Sequence, residues 1–180
     1  MTKNLIIAAI LIALLSGCGR RSHQLTLESL KNATYSLDSF EGMKVTLQDG
    51  RFQGKPGADD DSEFEVGMMD RTAFGQIHGV DAAAVILYWN SGGTGTFIDL
   101  ALMLRSEGKA VNIATMNLGD RVRVNEVSID HDTIYVAMTI HGPEDPMCCP
   151  TLDVRRAFLL RDTVIVEPNA SASPEPNDLN

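Results

Sequence analysis

Ile134-Tyr135-Val136-Ala137-Met138-Thr139-Ile140-His141 alternates large apolar side chains with smaller or more polar ones along its whole length. A period of two places Ile134, Val136, Met138 and Ile140 on one face of an extended chain. Tyr135, Ala137, Thr139 and His141 fall on the other. The stretch predicts a strand with one face turned to a core. Upstream, Val122 and Val124 keep one phase while Val127 and Ile129 keep the opposite one. That slip predicts a partner strand with a β-bulge near Asn125-Glu126, joined through an Asp130-His131-Asp132 turn.

Working outward, the same grammar recurs. Ala82 to Trp89 is almost wholly apolar, as a strand buried on both faces is; a buried helix is the rival reading. Ser91-Gly92-Gly93-Thr94-Gly95 follows at once, then a second apolar run from Phe97 to Leu104, which favours strands. Glu107-Gly108-Lys109 turns that run into Val111 to Met116, and Gly119-Asp120 marks a further turn. Asp49-Gly50, between Val45-Leu47 and Phe52, is a hairpin signal within Met43 to Lys55. Leu152 to Leu160 and Thr163 to Val166 form a last hairpin around Arg161-Asp162, and only Thr26 to Leu30 hints at a helix. The expectation is a mainly β domain over residues 25–166, with about nine strands. It is an antiparallel meander closing as a sandwich or partly closed barrel, with at most one short helix.

The chain's first residues carry an address. Lys3 precedes an uninterrupted apolar stretch from Leu5 to Leu14, and Leu15-Ser16-Gly17-Cys18 follows. Positive start, apolar run and small residues make a secretory signal peptide whose apolar run is too short to span a bilayer. Leu15 to Cys18 resembles a bacterial lipobox, which implies lipidation of the Cys18 thiol, cleavage before it and a membrane attachment made stable by more than one acyl chain; an ordinary signal peptide with a nearby cysteine, or an uncleaved anchor, is the alternative. Residues 1–17 are then the signal peptide, and 18–24 are the lipidated cysteine with a polar spacer. Gly19 stands where an aspartate would resemble an inner-membrane retention signal, so the expected place is the outer membrane, facing the periplasm. Residues 167–180 read Glu-Pro-Asn-Ala-Ser-Ala-Ser-Pro-Glu-Pro-Asn-Asp-Leu-Asn, a polar tail with too little apolar surface to offset its ordering entropy.

The 180 residues hold 15 Lys and Arg against 24 Asp and Glu, a net charge of −9. Such a balance argues against general nucleic-acid binding and against docking on anionic lipid. With Cys18 consumed by lipid, only the adjacent Cys148 and Cys149 remain, so no disulfide framework is available and packing must hold the core.

His141-Gly142-Pro143-Glu144-Asp145-Pro146-Met147-Cys148-Cys149-Pro150 is the most unusual local chemistry. Three prolines stiffen it. Cys148 and Cys149 admit three readings: a rigid loop with a vicinal disulfide or two buried thiols, a soft-metal site, or a redox switch. His141, Met147, Cys148 and Cys149 are ligand types that suit copper(I) or zinc, although adjacent cysteines rarely aim both sulfurs at one ion.

Other segments read more plainly. Asp59-Asp60-Asp61-Ser62-Glu63 with Glu65 lacks the glycine of a calcium loop and reads as a solvated loop. Ser91 to Gly95 has no lysine in phosphate-loop spacing and reads as a hairpin loop. His23, His78, His131 and His141 are scattered, and no nucleophile, base and orienter assemble. No enzyme activity and no cofactor is expected.

Several segments together carry a resemblance: Asn32-Ala33-Thr34-Tyr35, an Ala73-Phe74-Gly75 turn before Asp81 to Leu87, Ser91 to Phe97, Leu118-Gly119-Asp120-Arg121, and His141 to Thr151. In these the chain is similar to a group of bacterial envelope proteins and lipoproteins that share a His-Gly-Pro-x-Asp-Pro-Met-Cys-Cys-Pro segment. The resemblance implies a place in the envelope and the limits of the domain, and no activity. The combined expectation is a lipid-anchored envelope protein, a non-catalytic binding or structural module. It meets the membrane through the lipid on Cys18 and meets a protein or cell-wall partner through its domain. The alternative is a metal-binding or redox-responsive lipoprotein working through His141, Met147, Cys148 and Cys149.

Overall fold

Hydrogen-bonded strands account for most of the described residues in the computed structural model, which describes residues 25–40, 42–55 and 63–168. The lipobox with Cys18, residues Asp59 to Ser62 of the acidic cluster, and residues 169–180 lie outside the described residues.

One short helix, α1 (Leu27–Lys31), is followed by β1 (Thr34–Leu37), a 3-10 turn (Asp38–Phe40), β2 (Met43–Thr46) and β3 (Arg51–Gly54). Then come β4 (Phe64–Ile77), β5 (Val80–Asn90), β6 (Phe97–Ser106), β7 (Lys109–Asp120), β8 (Arg123–Asp130), β9 (Thr133–Ile140), β10 (Leu152–Arg161) and β11 (Val164–Val166). All ladders are antiparallel, in three sheets ordered β1-β2, β3-β4-β5-β6-β7 and β11-β10-β9-β8. The five- and four-stranded sheets also approach along both long edges, β8 beside β4 and β11 beside β7, which makes a partly closed barrel.

The β8–β9 pair forms as its alternation demands. Ile134, Val136 and Met138 are fully buried, and the register shifts between Val124 and Glu126, so Asn125 is the bulged residue. Thr139, on the face expected to look outward, is buried instead. It donates to Asp153 at 2.6 Å, and Asn125 donates to its hydroxyl at 3.3 Å.

β5 is the middle of the five-stranded sheet and is buried on both faces. Ala82, Ala84 and Ile86 pack inside the barrel with Ile98, Leu100, Leu102, Ile134, Val136, Met138 and Phe158. Ala83, Val85, Leu87 and Trp89 face an outer layer made by α1, β1 and β2, meeting Leu30, Tyr35, Leu37, Val45 and Leu47. Each such Leu, Ile or Val contributes about 1.5–3 kcal/mol by leaving water. Thr26 caps α1: its hydroxyl accepts the Ser29 N–H at 3.1 Å, and the Ser29 hydroxyl accepts the Thr26 N–H at 3.0 Å.

Four readings of the sequence need correction. The described residues hold eleven strands, not about nine, because β1 and β4 escaped notice. Ala73-Phe74-Gly75 is not a turn but lies inside β4; Gly75 is small because Ile129 of β8 sits where its Cβ would go, at 2.8 Å. The turn into β5 is His78-Gly79, with φ of 51° and 75°. Gly119-Asp120 ends β7, and the chain turns instead at Arg121, whose φ is 53°. Asp49-Gly50 makes the tight turn expected of it, with φ of 51° and 84°, and one bridge from Gln48 to Arg51. Its flanking strands then part, β2 to the outer layer and β3 to the five-stranded sheet.

Candidate functional site

The antiparallel connectivity sorts the connections by length. The turns His78-Gly79, Glu107-Gly108, His131-Asp132 and Asp162-Thr163 all lie at one end of the barrel. Ser91 to Thr96, Arg121-Val122 and His141 to Thr151 lie at the other. β4 and β8 run parallel past each other between those ends: the Arg71 guanidinium donates to the Asn125 carbonyl at 3.2 Å, and the His78 N–H to Asp132 at 2.6 Å.

Three loops interlock at the long-loop end. Asp145 closes the His141–Thr151 loop on itself. Its carboxylate accepts the N–H of Gly142 at 2.8 Å, the N–H of Thr151 at 2.7 Å and the Thr151 hydroxyl at 2.7 Å. These bonds, the Gly142 N–H first, hold its pKa below the ordinary carboxylate value, and the His141 side chain adds to the effect. The Cys149 N–H donates to the Pro146 carbonyl at 2.9 Å. Arg121 then fastens this loop to its neighbour, donating to the Met147 carbonyl at 3.1 Å and to the Thr94 carbonyl at 2.7 Å while paired with Asp120. Asp120 in turn accepts the Thr96 N–H at 2.9 Å. Arg123 donates to the Pro150 carbonyl at 3.1 Å.

Inside the Ser91–Thr96 loop, Asn90 accepts the Gly92 N–H at 2.7 Å and donates to the Gly95 carbonyl at 2.6 Å. Those groups are spent on the loop itself, which fits a structural loop and not a phosphate cradle.

Beside the loops opens a shallow cleft of about 660 Å³, lined by strand residues Met69, Tyr88 and Ile98 with Val122, and by Cys148, Cys149 and Pro150 of the loop. Its wall is mostly apolar, with Arg121 and Arg123 also lining it. Tyr88 donates to Glu65 at 2.6 Å, and Arg51 stands 3.6 Å from the same carboxylate. Burial first, then the Glu65 bond, raises the Tyr88 pKa, so the phenol stays protonated.

The structure joins Cys148 to Cys149 as a disulfide, with Cα atoms 3.7 Å apart and both residues exposed. Met147 beside them is 75% exposed, and His141 is half-buried at the loop's base. Sulfurs bonded to each other are not thiolate ligands. Among the described residues no group of three or more His, Cys, Asp or Glu side chains is placed to hold a metal. The sequence pointed to the disulfide-bearing loop but not to Asp145, Arg121 or Arg123, which fix it. Arg121 and Asp145 carried one sequence signal, membership of the Leu118–Arg121 and His141–Thr151 segments, which converge here with Ser91–Phe97; Arg123 carried none.

Comparison of the chain with models of protein families, with curated proteins and with solved structures finds no match. No helix among the described residues is long and apolar enough to cross a membrane.

Proposed function

We propose that this chain is a lipid-tethered, non-catalytic binding module of the bacterial cell envelope, which holds a protein or cell-wall partner at the long-loop end of its barrel. One observation carries the reading: three loops, cross-bonded by Arg121, Arg123 and Asp145, present an apolar cleft and an exposed Met147 in one fixed arrangement. Preorganised loops lose little entropy on binding, which favours affinity. In this reading the lipid on Cys18 tethers the domain through α1, whose Ser29 lines a pocket with Gly108 and Lys109 and whose Lys31 carbonyl accepts the Gly50 N–H.

The tether is tested by following the wild-type protein and Cys18→Ser through membrane fractionation with labelled palmitate. The expected result is a labelled, membrane-bound wild type and an unlabelled variant released from the membrane. Equal sedimentation of both would remove the tether from the account. Photo-crosslinking from position 147 in cells tests the binding end.

A further inference from the structure

The Cys148–Cys149 bond is poorly suited to a stabilising role. In the chain-entropy view a disulfide stabilises by closing a loop in the unfolded chain, more so the longer the loop, and here the loop is a single peptide unit. Its surroundings suit exchange chemistry better. Both cysteines are exposed and line a cleft. The carbonyl before the pair, on Met147, is held by Arg121, and the one after it, on Pro150, by Arg123. Asp120 offsets the charge of Arg121, whereas Arg123 bonds a neutral carbonyl and lines the same cleft as the two cysteines. Cationic, accessible surroundings favour the thiolate form that thiol–disulfide exchange requires.

We infer that Cys148 and Cys149 form a reversible thiol–disulfide couple that takes a dithiol, such as a dithiol oxidoreductase, as its reaction partner. The inference is independent of the binding reading. A partner thiolate attacks one sulfur of the pair, forming a mixed disulfide and breaking the Cys148–Cys149 bond, and the other sulfur leaves as a thiolate. The partner's second thiolate attacks its own sulfur in the mixed disulfide and releases the second cysteine. Two electrons pass from partner to pair, the partner leaves as its disulfide, and the two protons of its thiols end on Cys148 and Cys149. The loop survives the change because its other restraints do not pass through the bond: the Asp145 clasp, the two arginine bonds and the Cys149 to Pro146 bond.

The test uses the exported protein without denaturant. Dithiothreitol is added, thiols are trapped with N-ethylmaleimide and counted by mass, and glutathione disulfide is then supplied to the reduced protein. The expected results are two adducts on Cys148 and Cys149, complete reoxidation, and a melting temperature that shifts by only a few degrees on reduction. The reduced pair should also react with glutathione disulfide faster when folded than in guanidinium chloride, and Arg123→Gln should slow the folded reaction about threefold. A bond that opens only in denaturant, or a domain that unfolds on reduction, would overturn the inference. So would a folded exchange rate no faster than the denatured one, a comparison that holds even if Arg123→Gln misfolds.

Discussion

Asp145 uses both carboxylate oxygens to tie the start of its loop to the end, and the bonds require the charged form. Its folded pKa is depressed, so the stability it contributes is present above the ordinary carboxylate value and is lost as pH falls through the depressed one. Protection of the Gly142 and Thr151 amides against hydrogen exchange, measured relative to the unfolded chain, should hold from neutrality down to the ordinary carboxylate range and fall only below it. Asp145→Ala should make those amides exchange rapidly at neutral pH. Asp99 has the opposite sign. It is fully buried in β6, accepts Asn117 at 2.7 Å and Trp89 at 3.4 Å through one oxygen, and leaves the other without a partner. Burial raises its pKa. Its contribution is therefore present below the ordinary value and is lost as pH rises through the raised one. Calorimetry should show Asp99→Asn melting higher, relative to wild type, at pH 8 than at pH 4. Neither residue announces itself in sequence. Asp145 acts through a loop closure set by distant strands, and Asp99 interrupts an apolar run that still predicts a strand.

At the scale of elements, two glycines of one hairpin do different work. Gly75 admits Ile129, so β4 can lie against β8; Gly79 has nothing within 4 Å but holds a φ of 75°. Gly75→Ala should cost about 1–3 kcal/mol by overpacking. Gly79→Ala should cost about 1 kcal/mol through its backbone alone. Urea denaturation of the two variants separates these sizes. The contrast also explains what the sequence made legible. β5 and β6 could be read from their apolar runs, and β9 and the β8 bulge from their alternation, because both patterns record burial locally. β4 could not: its register shifts between Met68 and Thr72, which breaks the alternation, and Phe74-Gly75 looks like a turn when the glycine serves a neighbour more than fifty residues away. Position in sequence shows a small residue. It does not show which strand needs the space.

For the whole molecule the governing feature is polarity of the barrel, with short turns at one end and interlocked loops at the other. The candidate site was half legible: Pro-Met-Cys-Cys-Pro stood out, but its union with Ser91–Thr96 and Arg121 arises only because β5, β7 and β9 all finish at the same end of the barrel. The most direct test is in-cell photo-crosslinking from a photoreactive residue at Met147, with Val164, 58% exposed at the tight-turn end, as the control. A binding module that works through its long loops should give a discrete adduct from position 147, lost on Arg121→Ala, and none from position 164. Adducts from position 164 alone, or the same adducts from both, would contradict it.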